Sequence, residues 1–227
     1  MRGCFITGTD TAVGKTVLTA AITSALRARG VDAIACKPVV TGLDTPADPV
    51  WPPDHVLLAR VSDSAPELVS AITFGPPVSP HLAAELARRQ VRSQQLLDGV
   101  RSAAASREVV IVEGVGGLRV PLAQDYDVRD LARDLGLPVV IAARPGLGTI
   151  NHALLTLEAA RAGGLEVVAV VLTPWPETPD RLQRSNRETV ERLGLVDVRT
   201  LPHVERPEPE LLAAAAGGLP LEQWLAA

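Results

Sequence analysis

The first residues that could do chemistry lie in a glycine-bounded segment near the N-terminus. It stands between an apolar run and an Ala- and Leu-rich run, and it reads Gly8-Thr9-Asp10-Thr11-Ala12-Val13-Gly14-Lys15-Thr16. Such a turn can aim backbone N–H groups at phosphate oxygens, and the N-terminus of the following helix adds positive partial charge. Lys15 is then placed for the β- and γ-phosphates of a nucleotide, and the Thr16 hydroxyl for Mg²⁺. Five residues separate the two glycines where the standard pattern has four, which leaves open a plain glycine-rich turn with a solvated lysine.

Two further charged side chains end apolar runs that predict strands. Glu113 closes the run Val109–Glu113 and precedes Gly114, Val115 and Gly116. A carboxylate there can hold Mg²⁺ beside a phosphate loop, and the glycines permit close approach of a ligand; the alternative is a carboxylate that caps a local turn. Lys37 lies toward the carboxyl end of another apolar run, where open α/β sheets bind ligands. It could neutralise a phosphoryl group in transfer, or be a surface lysine whose stem covers apolar surface.

Alternating strands and helices must hold these residues. The apolar runs predict strands at Cys4–Thr7, Ala33–Val39, Val109–Glu113, Val139–Ala143, Val167–Leu172 and Val196–Leu201. The runs between them predict helices at Lys15–Arg29, His81–Arg89, Ser93–Ser106, Val128–Leu135, Thr149–Ala162 and Asp180–Leu193. Strands that are apolar on both faces are typical of a parallel sheet covered by helices. We therefore expect an open, mostly parallel α/β sheet with helices on both faces, in a single domain over residues 1–227.

The composition excludes several classes of protein. Of the 227 residues 47% are apolar, so a disordered chain is excluded. A net charge of −4 and 3% aromatics argue against a nucleic-acid-binding surface. No stretch is apolar enough to span a membrane, and the N-terminal apolar run is too short for a signal peptide. We expect a cytoplasmic protein in which Cys4 and Cys36 are small buried hydrophobes.

The order of the motifs resembles the dethiobiotin synthetase family. Beyond the phosphate loop the matched segments are Lys37-Pro38-Val39, Thr41-Gly42, Ser79-Pro80-His81, Val112-Glu113-Gly114-x-Gly116-Gly117 and Gly148-x-Ile150-Asn151-His152. The five-residue spacing between the loop glycines is this family's own variant. The resemblance implies a P-loop NTPase-like fold and an ATP-dependent ligase of biotin biosynthesis. In that reaction 7,8-diaminononanoate takes up CO₂, the carbamate is phosphorylated by MgATP, and the second amine closes the cyclic urea.

The same resemblance implies roles for individual residues. Lys15 and Lys37 are the expected catalytic residues, and Thr16, Asp54 and Glu113 the expected Mg²⁺ ligands, although Asp54 could be a plain helix N-cap. The nucleotide is expected to contact Thr11, Ala12, Val13, Gly14, Lys15, Thr16, Val17, Asp54, Glu113, Gly114, Val115, Gly116, Thr173, Pro174 and Pro202. The diamine is expected to contact Thr11, Lys37, Thr41, Leu147, Gly148, Thr149, Ile150 and Asn151.

The segment 147–151 opens a predicted helix whose free N–H groups form an anion site. In the family it binds the substrate's carboxylate across a homodimer interface; a plain cap by Thr149 or Asn151 is compatible with that role. His81 and His152 belong to matched motifs and are expected to be structural.

Two positions depart from the family pattern. Ala12 stands where a glutamate is frequent, and Thr173-Pro174 follows a strand after which many members have an asparagine that reads adenine. Proline has no N–H and threonine has one hydroxyl, so we expect weaker discrimination between ATP and other nucleoside triphosphates. Segment 178–227 carries no matched motif. Its predicted helices, which include Leu211–Ala216 and Leu219–Leu225, are expected to cover the sheet edge.

The main alternative is a P-loop switch ATPase of the chromosome-partition type. Such proteins share the fold and dimerise around a nucleotide. They carry an additional lysine near the start of the phosphate loop, where this chain has Thr9-Asp10. That difference, together with the Ile150-Asn151-His152 segment, favours the ligase.

Overall fold

The computed structural model describes residues 1–46 and 48–225. Strands and helices alternate along the chain in this order: β1 (Gly3–Gly8), α1 (Lys15–Ala28), β2 (Ala33–Cys36), β3 (Val39–Val40), α2 (Asp54–Val61), α3 (Pro66–Val69), β4 (Ile72–Thr73), α4 (Pro80–Leu86), α5 (Ser93–Ala104), β5 (Val109–Glu113), β6 (Pro121–Ala123), β7 (Tyr126–Asp127), α6 (Val128–Leu135), β8 (Val139–Ala143), α7 (Thr149–Ala162), β9 (Val167–Trp175), α8 (Arg181–Gly194), β10 (Asp197–Pro202), α9 (Pro209–Ala215) and α10 (Leu221–Trp224).

The main sheet confirms the predicted α/β class. Its strand order is β10-β9-β8-β1-β5-β2, and every neighbouring pair is parallel. Strand β1 lies between β5 and β8, so the chain passes from one side of β1 to the other after β5. Ligands bind outside the carboxyl ends of the strands where the strand order changes direction in this way. The phosphate loop starts at that point, because it follows β1 directly.

The two faces of the sheet pack into separate apolar clusters. Phe5 contributes to the cluster under α5, α6 and α7, whereas Cys4 and Ile6 contribute to the cluster under α1 and α2. This alternation follows from the period of two in a strand, and burial on both faces explains why the central strands are mostly apolar. Cys4 and Cys36 are buried free thiols, as expected, and burial raises the pKa of each to about 12.

The predicted strand Ala33–Val39 is wrong in its second half. Strand β2 ends at Cys36, because Pro38 has no N–H to donate to a neighbouring strand. Residues Val39 and Val40 instead pair in parallel with β4, outside the main sheet. The short elements α3, β4, β6 and β7 were not predicted, because two to four residues are too few for a hydrophobic period.

The helix boundaries also differ from the sequence prediction. Helix α4 begins at Pro80 and ends at Leu86, short of the predicted Arg89. Helix α8 meets the expectation that C-terminal helices cover the sheet edge, since it packs on the edge strand β10 and on α7. Helix α9 packs on α1 instead. No helix within the described residues is both long and apolar enough to cross a membrane.

Candidate active site

The phosphate loop presents a run of free backbone donors. Within the described residues, the N–H groups of 12–17 donate to no protein acceptor, and the first bond of α1 is from Leu18 N–H to the Gly14 carbonyl. The start of the loop is fixed by the N–H of Thr9, which donates to Ala142 of β8. Gly14 has φ +91°, and a Cβ there would lie 2.7 Å from Thr173 Cγ2. Free N–H groups at the start of a helix form an anion site.

Lys15 folds back over this loop. Its Nζ donates to the Asp10 carbonyl at 2.8 Å, and the residue is only 6% exposed. The alternative of a solvated lysine is therefore wrong. Burial lowers the pKa of Lys15 to about 8, and the nearby Glu113 carboxylate opposes that shift. An ammonium stripped of water in this way interacts strongly with any anion that enters the loop.

Four side chains from four separate segments meet beside the loop. Glu113, at the end of β5, accepts hydrogen bonds at its Oε1 from Thr16 Oγ1 and from Lys37 Nζ, both at 2.8 Å. Lys37 also donates to the carboxylate of Asp54, the first residue of α2. The helix N-cap position belongs to Pro53, so the plain N-cap alternative for Asp54 is wrong. We call Lys37, Asp54 and Glu113 the carboxylate–lysine cluster.

Burial sets the charges of this cluster. Glu113 is fully buried and Lys37 is 6% exposed, so neither a turn cap nor a surface lysine describes them. Burial disfavours the ammonium of Lys37, but the carboxylates of Glu113 and Asp54 outweigh it and hold the pKa of Lys37 above its ordinary value. Burial raises the pKa of Glu113, and Lys37 opposes this. The pKa of Asp54 is lowered, because the Lys37 ammonium outweighs the effect of burial.

The donor set fits a magnesium ion. Glu113 Oε2 is buried and has no hydrogen-bond partner within the described residues, so it has a lone pair free for a cation. No group of three or more His, Cys, Asp or Glu side chains suited to a metal occurs among those residues. Mg²⁺ that acts on nucleotides is bound by one or two carboxylates together with water and phosphate oxygens. Thr16, Asp54 and Glu113 could provide the protein part of such a site.

The glycines after β5 lie against the phosphate loop. A Cβ on Gly116, which has φ +61°, would lie 3.5 Å from Thr11 Oγ1, and one on Gly117 would lie 3.5 Å from the Gly8 carbonyl. Gly114 N–H donates to the carbonyl of Ile6 in β1. This segment therefore lies beside the phosphate loop and forms a second wall there. Val115 between the glycines is half-buried against the apolar core.

The residues expected near the base lie at the ends of β9 and β10. Thr173 is buried beside Gly14 of the phosphate loop. Pro174 and Pro202 are exposed at the ends of these two neighbouring strands, where Pro202 is in register with Trp175. Thr173 therefore packs under the loop, and the two prolines form an apolar surface next to it.

The segment 147–151 lies at a different side of the loop. Gly148, with φ +92°, occupies the N-cap position of α7, and no side chain in the described part of the chain caps the helix, so the cap by Thr149 or Asn151 is wrong. A cavity of about 110 Å³ separates this segment from Thr9, Asp10 and Val13. Within the described residues, no hydrogen bond or ion pair joins Thr41 or residues 147–151 to the carboxylate–lysine cluster.

Two polar residues near the loop were missed from the sequence. Arg144 follows β8 directly and donates to the Ala12 carbonyl through Nε and Nη2. Asn186 of α8 is buried and donates to the carbonyls of Pro145 and Gly146. A basic residue just after an apolar strand is the signal that singled out Lys37, and it could have found Arg144. No local pattern marks Asn186.

Comparison with known proteins agrees with this geometry. A family model described as an AAA domain matches residues 2–208. The chain is 44% identical over 90% of its length to an ATP-dependent dethiobiotin synthetase of Anaeromyxobacter sp. (strain Fw109-5), of which the match covers 91%. It is 36% identical over 92% of its length to the enzyme of that name from Bacillus licheniformis, with 89% of the relative covered.

Among solved structures, a ParA family ATPase from Chlorobium tepidum TLS is similar. Its TM-score is 0.56 at 13% identity, with 98% of this chain and 95% of that chain covered. A likeness at this identity supports the P-loop NTPase-like fold and no particular activity. The sequence relatives are much closer and span nearly the whole chain, and they show that the chain belongs to the ATP-dependent dethiobiotin synthetase family.

Proposed function

We propose that this chain is an ATP-dependent dethiobiotin synthetase, a ligase of biotin biosynthesis that forms C–N bonds. One amine of 7,8-diaminononanoate adds to CO₂ and loses a proton to give a carbamate. The carbamate oxygen attacks the γ-phosphorus of ATP and ADP leaves, which gives a carbamic–phosphoric anhydride. The second amine then attacks the carbonyl carbon, the C–O bond to phosphate breaks, and the cyclic urea forms with release of phosphate and a proton.

The observation that carries this proposal is the carboxylate–lysine cluster beside the free donors of residues 12–17. Phosphoryl transfer depends on positioning and charge neutralisation more than on covalent help. Lys15 and Lys37 bring two buried ammonium groups to the loop, where they are suited to the γ-phosphate and the carbamate. Magnesium, held by Thr16, Asp54 and Glu113, supplies further charge neutralisation on the phosphates when it is bound. Thr11 and Thr41 are suited to the diamine.

The ammonium of Lys37 can pair either with the carboxylates of its cluster or with a bound carbamate. In the structure its ammonium is paired with Glu113 at 2.8 Å and with Asp54. A cation held at Glu113 and Asp54 would share those carboxylates with Lys37, so the Lys37 ammonium would be less tightly paired with them. That ammonium would then be suited to the anionic carbamate.

We also propose a homodimer with the active site at the interface. Leu147, in the segment before α7, is 91% exposed, and Leu155 on α7 is 56% exposed. Large exposed apolar side chains at the start of a helix and on its surface favour contact with a second chain. Residues 147–151 could then bind the carboxylate of a diamine whose amines lie at the partner's cluster. Mixing Lys37→Ala and Asn151→Ala chains in equal amounts tests this. If each site is shared between two chains, half of the dimers regain one of their two sites, so activity should recover to about a quarter of wild type.

The reaction is tested by phosphate release from MgATP, with and without 7,8-diaminononanoate and bicarbonate, and by mass detection of the product. Release that requires both substrates, together with dethiobiotin, would support the ligase. Release that is indifferent to the diamine would contradict it and would favour a switch ATPase of the chromosome-partition type. A Lys15→Ala variant is the control for phosphate release by a contaminant.

A further inference from the structure

The connection between β8 and α7 reaches the phosphate loop through one side chain. Arg144 donates to the carbonyl of Ala12 from Nη2 at 3.1 Å and from Nε at 3.3 Å. Ala12 has φ +54°, in the left-handed region that residues with a side chain rarely adopt. This conformation costs free energy, so contacts from outside the loop must help to hold it. Arg144 provides such a contact at the strained residue itself.

The contact decides where the next N–H group points. In a trans peptide the C=O of one residue and the N–H of the next point in opposite directions. Arg144 holds the Ala12 carbonyl on its own side, so the N–H of Val13 points away from Arg144. That N–H belongs to the run of free donors at residues 12–17. The arginine therefore acts on the phosphate site through the backbone of the loop.

Arg144 is itself held in place from the C-terminal part of the chain. Asn186 of α8 is 4% exposed, and its Nδ2 donates to the carbonyls of Pro145 and Gly146 at 3.0 Å each. These are the two residues that follow Arg144 in the chain. A buried amide that bonds two successive carbonyls fixes the path of that segment, because rotation of either peptide would leave the amide unsatisfied.

We propose that Arg144 and Asn186 are positioning residues that preorganise the phosphate loop for the nucleotide. Asn186 fixes residues 145–146, Arg144 holds the Ala12 carbonyl, and the Val13 N–H is thereby aimed at the phosphates. This inference rests on the proposed phosphate-binding role of the loop. It also gives a function to α8, which carries no motif of the family.

The test compares Arg144→Ala with Arg144→Lys and with Asn186→Asp. Loss of a charge-assisted hydrogen bond that orients the loop is expected to raise the KM for MgATP and the Kd for MgADP by about tenfold. The KM for the diamine should stay within about twofold of wild type. Arg144→Lys should recover part of the loss, since an ammonium can donate to the same carbonyl. Adding Asn186→Asp to Arg144→Ala should weaken MgADP binding little further, because Asn186 acts on the Ala12 carbonyl through Arg144.

Controls separate this inference from the proposed function. Arg101→Ala removes an exposed arginine from α5 that is paired with Asp98, and it should leave both KM values unchanged. A KM for MgATP within twofold of wild type in Arg144→Ala would overturn the inference. So would an equal rise in the KM of the diamine, which would indicate general loosening of the site. If Lys15→Ala also binds MgADP like wild type, the phosphate role of the loop fails instead. Because Arg144 is exposed, its variants should fold, and thermal unfolding checks this.

Discussion

Replacement of Lys37 by methionine should destabilise the protein in a way that depends on pH. The Lys37 side chain is 8% exposed and that of Glu113 is fully buried, 2.8 Å away. Without the ammonium, the hydroxyl of Thr16 is the one hydrogen-bond donor that Glu113 keeps among residues 1–46 and 48–225. Burial already raises the pKa of Glu113 above its ordinary value of 4.5. Loss of Lys37 removes the main effect that opposes this and raises the pKa further.

The loss in free energy of unfolding follows from the proton that the folded variant must bind at Glu113. At pH 7 the unfolded chain leaves Glu113 ionised, whereas the folded variant protonates it rather than bury an unpaired charge. Protonation 2.5 pH units above 4.5 costs about 3 kcal/mol, at 1.36 kcal/mol for each unit. Lys15 remains near Glu113, so this value is an upper bound. Because the folded state then binds more protons than the unfolded state, its stability falls as pH rises above 4.5.

Urea unfolding with metal ions chelated, at pH 5 and at pH 7, measures this effect. Lys37→Met should lose up to about 3 kcal/mol at pH 7 and less than about 1 kcal/mol at pH 5. The double variant Lys37→Met/Glu113→Gln should regain most of the loss at pH 7, because glutamine is neutral and nearly isosteric. Neither variant should turn over substrate. A single variant as stable as wild type at pH 7, or a double variant no more stable than the single one, would refute the reasoning.

Three further outcomes are expected. Because Thr173-Pro174 offers no side-chain amide to the base, kcat/KM with ATP and CTP should be comparable, and a preference for ATP of about a hundredfold would contradict this. Gly14→Ala should weaken MgADP binding by more than about tenfold in calorimetry, because Gly14 has φ +91° and the added Cβ would lie 2.7 Å from Thr173 Cγ2. The control is Gly30→Ala, at φ +82° with open space around it, which should bind MgADP normally. Asp180→Ala should remove the capping box of α8 and about 1 kcal/mol of stability in urea, with kcat unchanged; unchanged stability would contradict the capping argument.

The fold class and the phosphate loop follow from local patterns in the sequence. The strands β1, β5 and β8 are apolar apart from Thr7 and Glu113, because helices cover both faces, so these strands could be predicted without tertiary information. The loop between β1 and α1 is local in sequence, and its glycines, lysine and threonine are contiguous. The ends of the apolar runs also gave Lys37 and Glu113 as candidates, because the carboxyl ends of parallel strands lie at one edge of the sheet.

How these residues come together depends on the packing of the folded chain. The break after Cys36 turns the chain at Lys37, and that turn brings its ammonium to Asp54 and Glu113, 17 and 76 positions away. Local propensity carries no information on contacts at such separations, which depend on the order of strands and the path of the loops. The role of Asn186 could not be predicted for the same reason, since the sequence does not distinguish a buried asparagine in an amphipathic helix from an exposed one. Its significance lies in the two carbonyls of the β8–α7 connection that it bonds, and only packing brings them together.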